Sequence, residues 1–180
     1  MAEITLFAVP GLPEIRPGDD LAALIASACQ DPYSLREGDV VAVAQKIVSK
    51  AEGRVRALED VLPSAEALRL AAETGKDPRL VELILGESSR VLRWRPGTII
   101  VEHRLGFVCA NAGIDRSNVA QGEPGRTMVA LLPEDPDRSA RVLRDGLGRR
   151  LGVRVAVLIL DTHGRAFRFG AVGVTIGVAG

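Results

Sequence analysis

The sequence predicts an α+β fold, with mixed and antiparallel sheets and flanking helices. Three observations carry that expectation. Strand-like runs follow one another between residues 90 and 109, capped helical segments occur without a steady strand–helix–strand rhythm, and VRVAVLIL (153–160) is apolar enough to be buried on both faces. The chain has 180 residues, 47% hydrophobic and 26% charged, which suits one domain, 1–180, with its own core.

The elements follow in order. EITLFAV (3–9) reads as a strand that ends at Pro10-Gly11, and GLPEIRPG is a Pro/Gly loop. Asp19 or Asp20 offers an N-cap to LAALIASACQ, whose apolar residues recur at helical spacing. DVVAVA (39–44) is a strand that runs into the polar, extended QKIVSKAEGR. Ser64 caps ALRLAAET, with Gly75 just past its end. Asp77-Pro78 places a capping side chain before a proline at the first helical position and opens RLVELILGES. Residues 90–94, 98–103 and 106–109 form a meander broken at Pro96-Gly97. The stretch 110–126 is polar, and TMVALL is a further strand. Asp135-Pro136 starts a helix that runs to about Leu151, and VRVAVLIL then ends at Asp161. AVGVTIGVAG is a strand-like run at residue 180, and its abrupt apolar finish leads to the expectation of a chain cut short at its C-terminus.

Composition narrows the function. Lys plus Arg and Asp plus Glu both number 23, so no basic surplus exists to release counterions from nucleic acid or to seek an anionic membrane. Four Phe, one Tyr and one Trp are too few for base-stacking platforms. Cys29 and Cys109 form no CxxC or zinc spacing and fit a reducing compartment. The N-terminus lacks a basic signal-peptide region and no run approaches a membrane span, so a cytoplasmic protein is expected.

Polar segments after apolar strands are the candidate sites, because the scaffold fixes such loops while their side chains stay available. In QKIVSK, Lys46 and Lys50 share a face of an extended segment and can meet one polyphosphate; the alternative is a solvated strand end. No Walker A motif is present. NAGIDRSN supplies Asn111, Asp115 and Asn118, which can serve a phosphate, a base or a hard cation, or close an Asx turn on their own backbone. In DTHGR, a carboxylate at the end of a buried strand requires a partner or a metal; Thr162 is an oxygen donor and Arg165 an anion fork. His163 and His103 are expected to be non-catalytic, and Arg104 can face an anionic substrate. Two carboxylates among basic and amide groups suit a divalent cation bound to phosphate, and no covalent-nucleophile signature occurs.

GLPEIRPGDDLA, GDVVAVAQKIVSKAEGR, GKDPRLVELILGES, HRLGFVCANAGIDRSN, LLPEDPDRSA and DTHGRAFRFG with VTIGVAG, in this order, resemble the coenzyme F420-0:L-glutamate ligase family over essentially the whole chain. The resemblance implies an unusual α+β fold, an intertwined homodimer, and addition of γ-linked L-glutamate to the deazaflavin F420-0 at the expense of GTP with two divalent cations, Mg²⁺ or Mn²⁺. It places Leu12, Pro13, Glu14 and Ile15 in a GTP-contacting loop. Gln45, Lys50 and Asn118 match nucleotide contacts. Asp115, Asp161 and Thr162 match metal ligands. No residue is assigned as the general base. Two departures stand out: His163 replaces the family's aromatic after Asp-Thr, and Ala166-Phe167 stands where the family usually has Trp. The family also continues beyond this chain's last residue with a glycine-rich stretch that supplies further nucleotide contacts and a metal ligand. A non-catalytic nucleotide-binding module and a metal-dependent phosphohydrolase are the rival expectations.

Overall fold

The computed structural model of the chain describes residues 4–117, 119, 125–164 and 170–180, without the side chains of 163 and 164. The fold is α+β, with five α-helices and small mixed and antiparallel sheets among these residues. It divides into two compact units, the first of 1–53, 135–160 and 175–180, the second of 54–134 and 161–174.

In the first unit β1 (Val40–Ala44) lies parallel to β7 (Ala156–Gly164), from Val40 opposite Ala156 to Ala44 opposite Leu160. β8 (Ala171–Ala179) neighbours β7, so the sheet order is β1–β7–β8 and the terminal apolar run has a partner strand. Two helices of this unit begin where the sequence places caps. Asp20 accepts from Ala23 N at 2.9 Å to start α1 (Leu21–Ala28), and Asp135 accepts from Arg138 N at 2.9 Å to start α5 (Pro136–Leu151). They pack together so closely that a Cβ on Gly146 would stand 2.6 Å from Ala22 Cβ, which is why α5 keeps a residue of poor helix propensity there. Ile25, Val41, Val43, Leu143, Leu147, Val157 and Ile159 fill the core.

Three expectations are corrected in this unit. Residues 4–10 form no strand; Ile4 and Leu6 are almost fully exposed, and no described strand pairs with them. QKIVSK is helical, in α2 (Gln45–Ala51), because β1's pairing with β7 stops at Ala44 and the backbone closes its own hydrogen bonds from there. The two lysines still share a face, now through the i,i+4 spacing of a helix. VRVAVLIL alternates, with Val155, Val157 and Ile159 buried and the residues between them half-buried.

The second unit holds β2 (Val55–Ala57) antiparallel to β6 (Met128–Ala130), and the meander β3 (Ser88–Arg95), β4 (Thr98–His103), β5 (Val108–Ala110). Ser64 caps α3 (Ala65–Thr74), and Gly75 ends it in the left-handed region at φ 68°. Asp77 caps α4 (Pro78–Gly86), with Pro78 at its first position. Leu70, Ile84, Ile99, Val101 and Val129 are core residues. The two-residue period of β4 buries Ile99, Val101 and His103 on one face, which puts an imidazole among aliphatic side chains.

Candidate functional site

The first unit brings two sequence-predicted segments together. Ile15 is buried and Leu12 packs against the core, so the LPEI loop is anchored at both ends while Pro13 and Glu14 remain exposed. Glu14 Oε1 lies 2.5 Å from Lys50 Nζ. The lysine side chain is 8% exposed and the glutamate's 62%, so the carboxylate covers the mouth of a buried ammonium. Gln45 opens the same helix and is buried; its Oε1 accepts from Ser49 Oγ at 2.9 Å one turn on. Gln45 is thus fixed by a bond within α2, and Lys50 by its bond to Glu14 from the LPEI loop.

In the second unit Asp115 and Ala130 exchange backbone hydrogen bonds of 2.9 and 2.8 Å. Asp115 Oδ1 accepts from Ser117 N at 2.7 Å and from Ser117 Oγ at 2.8 Å, an Asx turn. Asp161 stands within β7, inside a strand and not in the loop expected from the sequence, because β7 continues to Gly164. Asp161 is buried and Thr162 is exposed. Successive strand residues point to opposite faces, so these two oxygen donors serve opposite sides of β7. Burial first, and then the charge of Asp161, push the Cys109 thiol up to about 11, which puts the carboxylate near β5, the strand that leads into the Asp115 turn. Asn118, Arg165, Ala166 and Phe167 lie outside the described residues, as does the side chain of His163.

Among the described residues no three His, Cys, Asp or Glu side chains gather into a metal cage. By donor type, the carboxylates of Asp115 and Asp161 and the hydroxyl of Thr162, the last two on opposite sides of β7, suit hard cations of the Mg²⁺ type, which take one or two carboxylates and complete their shell with substrate oxygens and water. They do not fit zinc.

A cluster that the sequence reading passed over surrounds Glu87. Its buried Oε2 lies 2.7 Å from Arg54 and 3.2 Å from Arg104, with His103 Nε2 at 3.8 Å. His103 Nδ1 accepts from Leu105 N at 3.0 Å, so the neutral ring carries its proton on Nε2, which has no hydrogen-bond partner among the described residues. Burial holds the imidazole below its usual range, against the pull of Glu87. Arg54 also donates to Leu132 O at 3.0 Å. Glu-Ser after a helix and Arg after a glycine are weak signals alone; only the fold joins them.

A family model described as F420-0:Gamma-glutamyl ligase matches residues 11–180. The chain is 51% identical over 178 residues to the coenzyme F420:L-glutamate ligase of Methanothermobacter thermautotrophicus, covering 98% of this chain and 69% of the relative. It is 53% identical over 172 residues to that of Methanopyrus kandleri, 96% of this chain and 65% of the relative. The Archaeoglobus fulgidus protein of the same name is 45% identical over 177 residues. The chain therefore spans about two thirds of the length of these relatives. No helix among the described residues is long and apolar enough to cross a membrane.

Proposed function

The chain belongs to the F420-0:gamma-glutamyl ligase family, and from that membership we propose that the protein adds γ-linked L-glutamate to the deazaflavin F420-0, driven by GTP, in coenzyme F420 biosynthesis. The similarity to proteins named as this ligase, across nearly the whole chain, carries the reading. The protein acts as a cytoplasmic homodimer in the same reading.

The reaction runs in two displacements. A carboxylate oxygen of the acid substrate attacks the γ-phosphorus of GTP, GDP leaves, and an acyl phosphate forms. The amino nitrogen of glutamate then attacks the acyl carbon, inorganic phosphate leaves, and the nitrogen loses a proton as the amide forms. The protein's share is positioning and charge balance. Lys50, already fixed by Glu14 and α2, holds a phosphate as a point charge, and Gln45 and the LPEI loop orient the nucleotide. Asp115, Asp161 and Thr162 would hold the divalent cations, which would offset phosphate charge during the transfer.

Mass spectrometry tests the reading. A glutamyl increment on the deazaflavin should appear only with GTP and a divalent cation, and its absence with every nucleotide would reject the ligase. Asp115→Asn and Asp161→Asn keep shape and remove one charge each, so both should lose cation-dependent GDP binding in calorimetry. Affinity equal to the parent's in both would leave Asp115 as a turn cap and Asp161 as a strand residue without a metal role.

A further inference from the structure

The turn between β4 and β5 is held on every side. His103 N donates to Phe107 O and Gly106 N to His103 O, each at 2.8 Å. Leu105 N donates to His103 Nδ1 at 3.0 Å, and the His103 and Phe107 rings stack with their centres 5.3 Å apart. Arg104 is the cation of this turn. Its own N–H donates to Glu87 O at 3.0 Å, which ties the turn to the junction of α4 and β3. The Arg104 side chain therefore leaves from a fixed backbone, although it starts in a turn.

Glu87 holds its two arginines unequally. Oε2 takes Arg54 at 2.7 Å and Arg104 at 3.2 Å. Arg54 is 13% exposed and also donates to Leu132 O, so it belongs to the framework. Arg104 is 36% exposed, and its longer contact uses one nitrogen of a fork that carries five N–H donors. His103 supplies a further donor. Its side chain is 1% exposed, and its Nε2–H stands 3.8 Å from the same Glu87 oxygen without a hydrogen bond among the described residues. A buried N–H without an acceptor is rare in folded proteins. Here it gives Glu87 a donor in reserve, and Arg104 is the member of the cluster that can turn outward.

We propose that Arg104 grips a carboxylate or phosphate group of a substrate with its guanidinium fork, and that Glu87 is the positioning residue that aims it. An arginine suits this task because its planar fork bonds two oxygens of one anion, where a lysine offers a point charge. The assignment to a substrate rests on the ligase reading, whose reactants bring both kinds of group.

Calorimetry with L-glutamate, GTP and F420-0, each alone, tests the proposal on the parent, Arg104→Gln, Arg104→Lys and Glu87→Asp. In Arg104→Gln one of the three should bind about tenfold more weakly or worse, while the other two change less than threefold. The ligand that weakens identifies the source of the group. Arg104→Lys keeps the charge and loses the fork, so it should recover only part of that affinity. Glu87→Asp keeps the charge and withdraws the carboxylate by one methylene, so it should weaken the same ligand and no other. Parental affinity for all three ligands in Arg104→Gln overturns the proposal. An equal loss for all three, which a purely structural arginine would give, overturns it too, as does a parent that binds none. Parental affinity in Glu87→Asp would refute the positioning role. A parent that binds its reactants and forms no glutamyl product would instead reject the ligase reading, and the comparison of affinities would still decide on Arg104.

Discussion

Lys50 Nζ and Glu14 Oε1 lie 2.5 Å apart, bridging 36 positions of sequence between a Pro-flanked loop and the last turn of α2. The pair is asymmetric. Removing the lysine leaves a carboxylate that water already reaches, whereas removing the carboxylate leaves an almost buried ammonium without its partner. Glu14→Gln is therefore expected to destabilise the protein more than Lys50→Met in urea unfolding, by about 1–3 kcal/mol against less than about 1 kcal/mol. Nucleotide affinity should show the opposite order. Lys50→Met loses a charge-assisted phosphate contact and should weaken GTP binding about 10- to 100-fold in calorimetry. Equal GTP affinity in the parent and Lys50→Met would remove Lys50 from the nucleotide site.

Glu87 should be among the more sensitive polar positions of the second unit. Arg54 is 13% exposed, so Glu87→Gln strands a nearly buried guanidinium and is expected to cost about 3 kcal/mol in urea unfolding. Arg104 is 36% exposed, and Arg104→Gln should cost under about 1 kcal/mol. Equal losses in the two variants would show that burial does not set the strength of this cluster.

Cys109 predicts an alkaline instability. Its thiol is pushed from 9.0 to about 11 by burial and then by the charge of Asp161. A group whose pKa is raised on folding stabilises the protein below its unfolded value and loses that contribution as pH rises through the folded one. The contribution should be complete below pH 9 and decline between pH 9 and about 11, by about 2–3 kcal/mol at 1.36 kcal/mol per unit. Cys109→Val should remove this part of the alkaline decline. In the folded parent, alkylation of Cys109 at pH 9 should be at least tenfold slower than in urea. Equal alkylation rates would contradict the shift.

The parts of the fold that read directly from sequence are those with local causes. Asp20, Ser64, Asp77 and Asp135 announce helices because a capping side chain satisfies backbone donors two or three residues away. The β3–β4 hairpin reads from the Pro96-Gly97 turn between two strand-like runs, also a local cause. Residues 4–10 misled, because apolar spacing reports strand propensity and not the presence of a partner. QKIVSK misled because the end of β1 is fixed by its register with β7, more than a hundred residues away. In the candidate site, the resemblance singles out Glu14 and Lys50, but their pairing needed the fold. The Glu87 cluster was not legible, since it joins Arg54, Glu87, His103 and Arg104 from separate segments, and no signal in the sequence pairs Arg104 within the protein.

The central claim is that phosphate transfer from GTP is coupled to amide formation. Phosphate release and glutamyl-deazaflavin formation should be measured together, with each reactant omitted in turn. The account predicts one phosphate released per amide formed, and release that falls to background without either F420-0 or glutamate. Steady release from GTP alone, at the rate seen with both acceptors present, would contradict it and identify a phosphohydrolase.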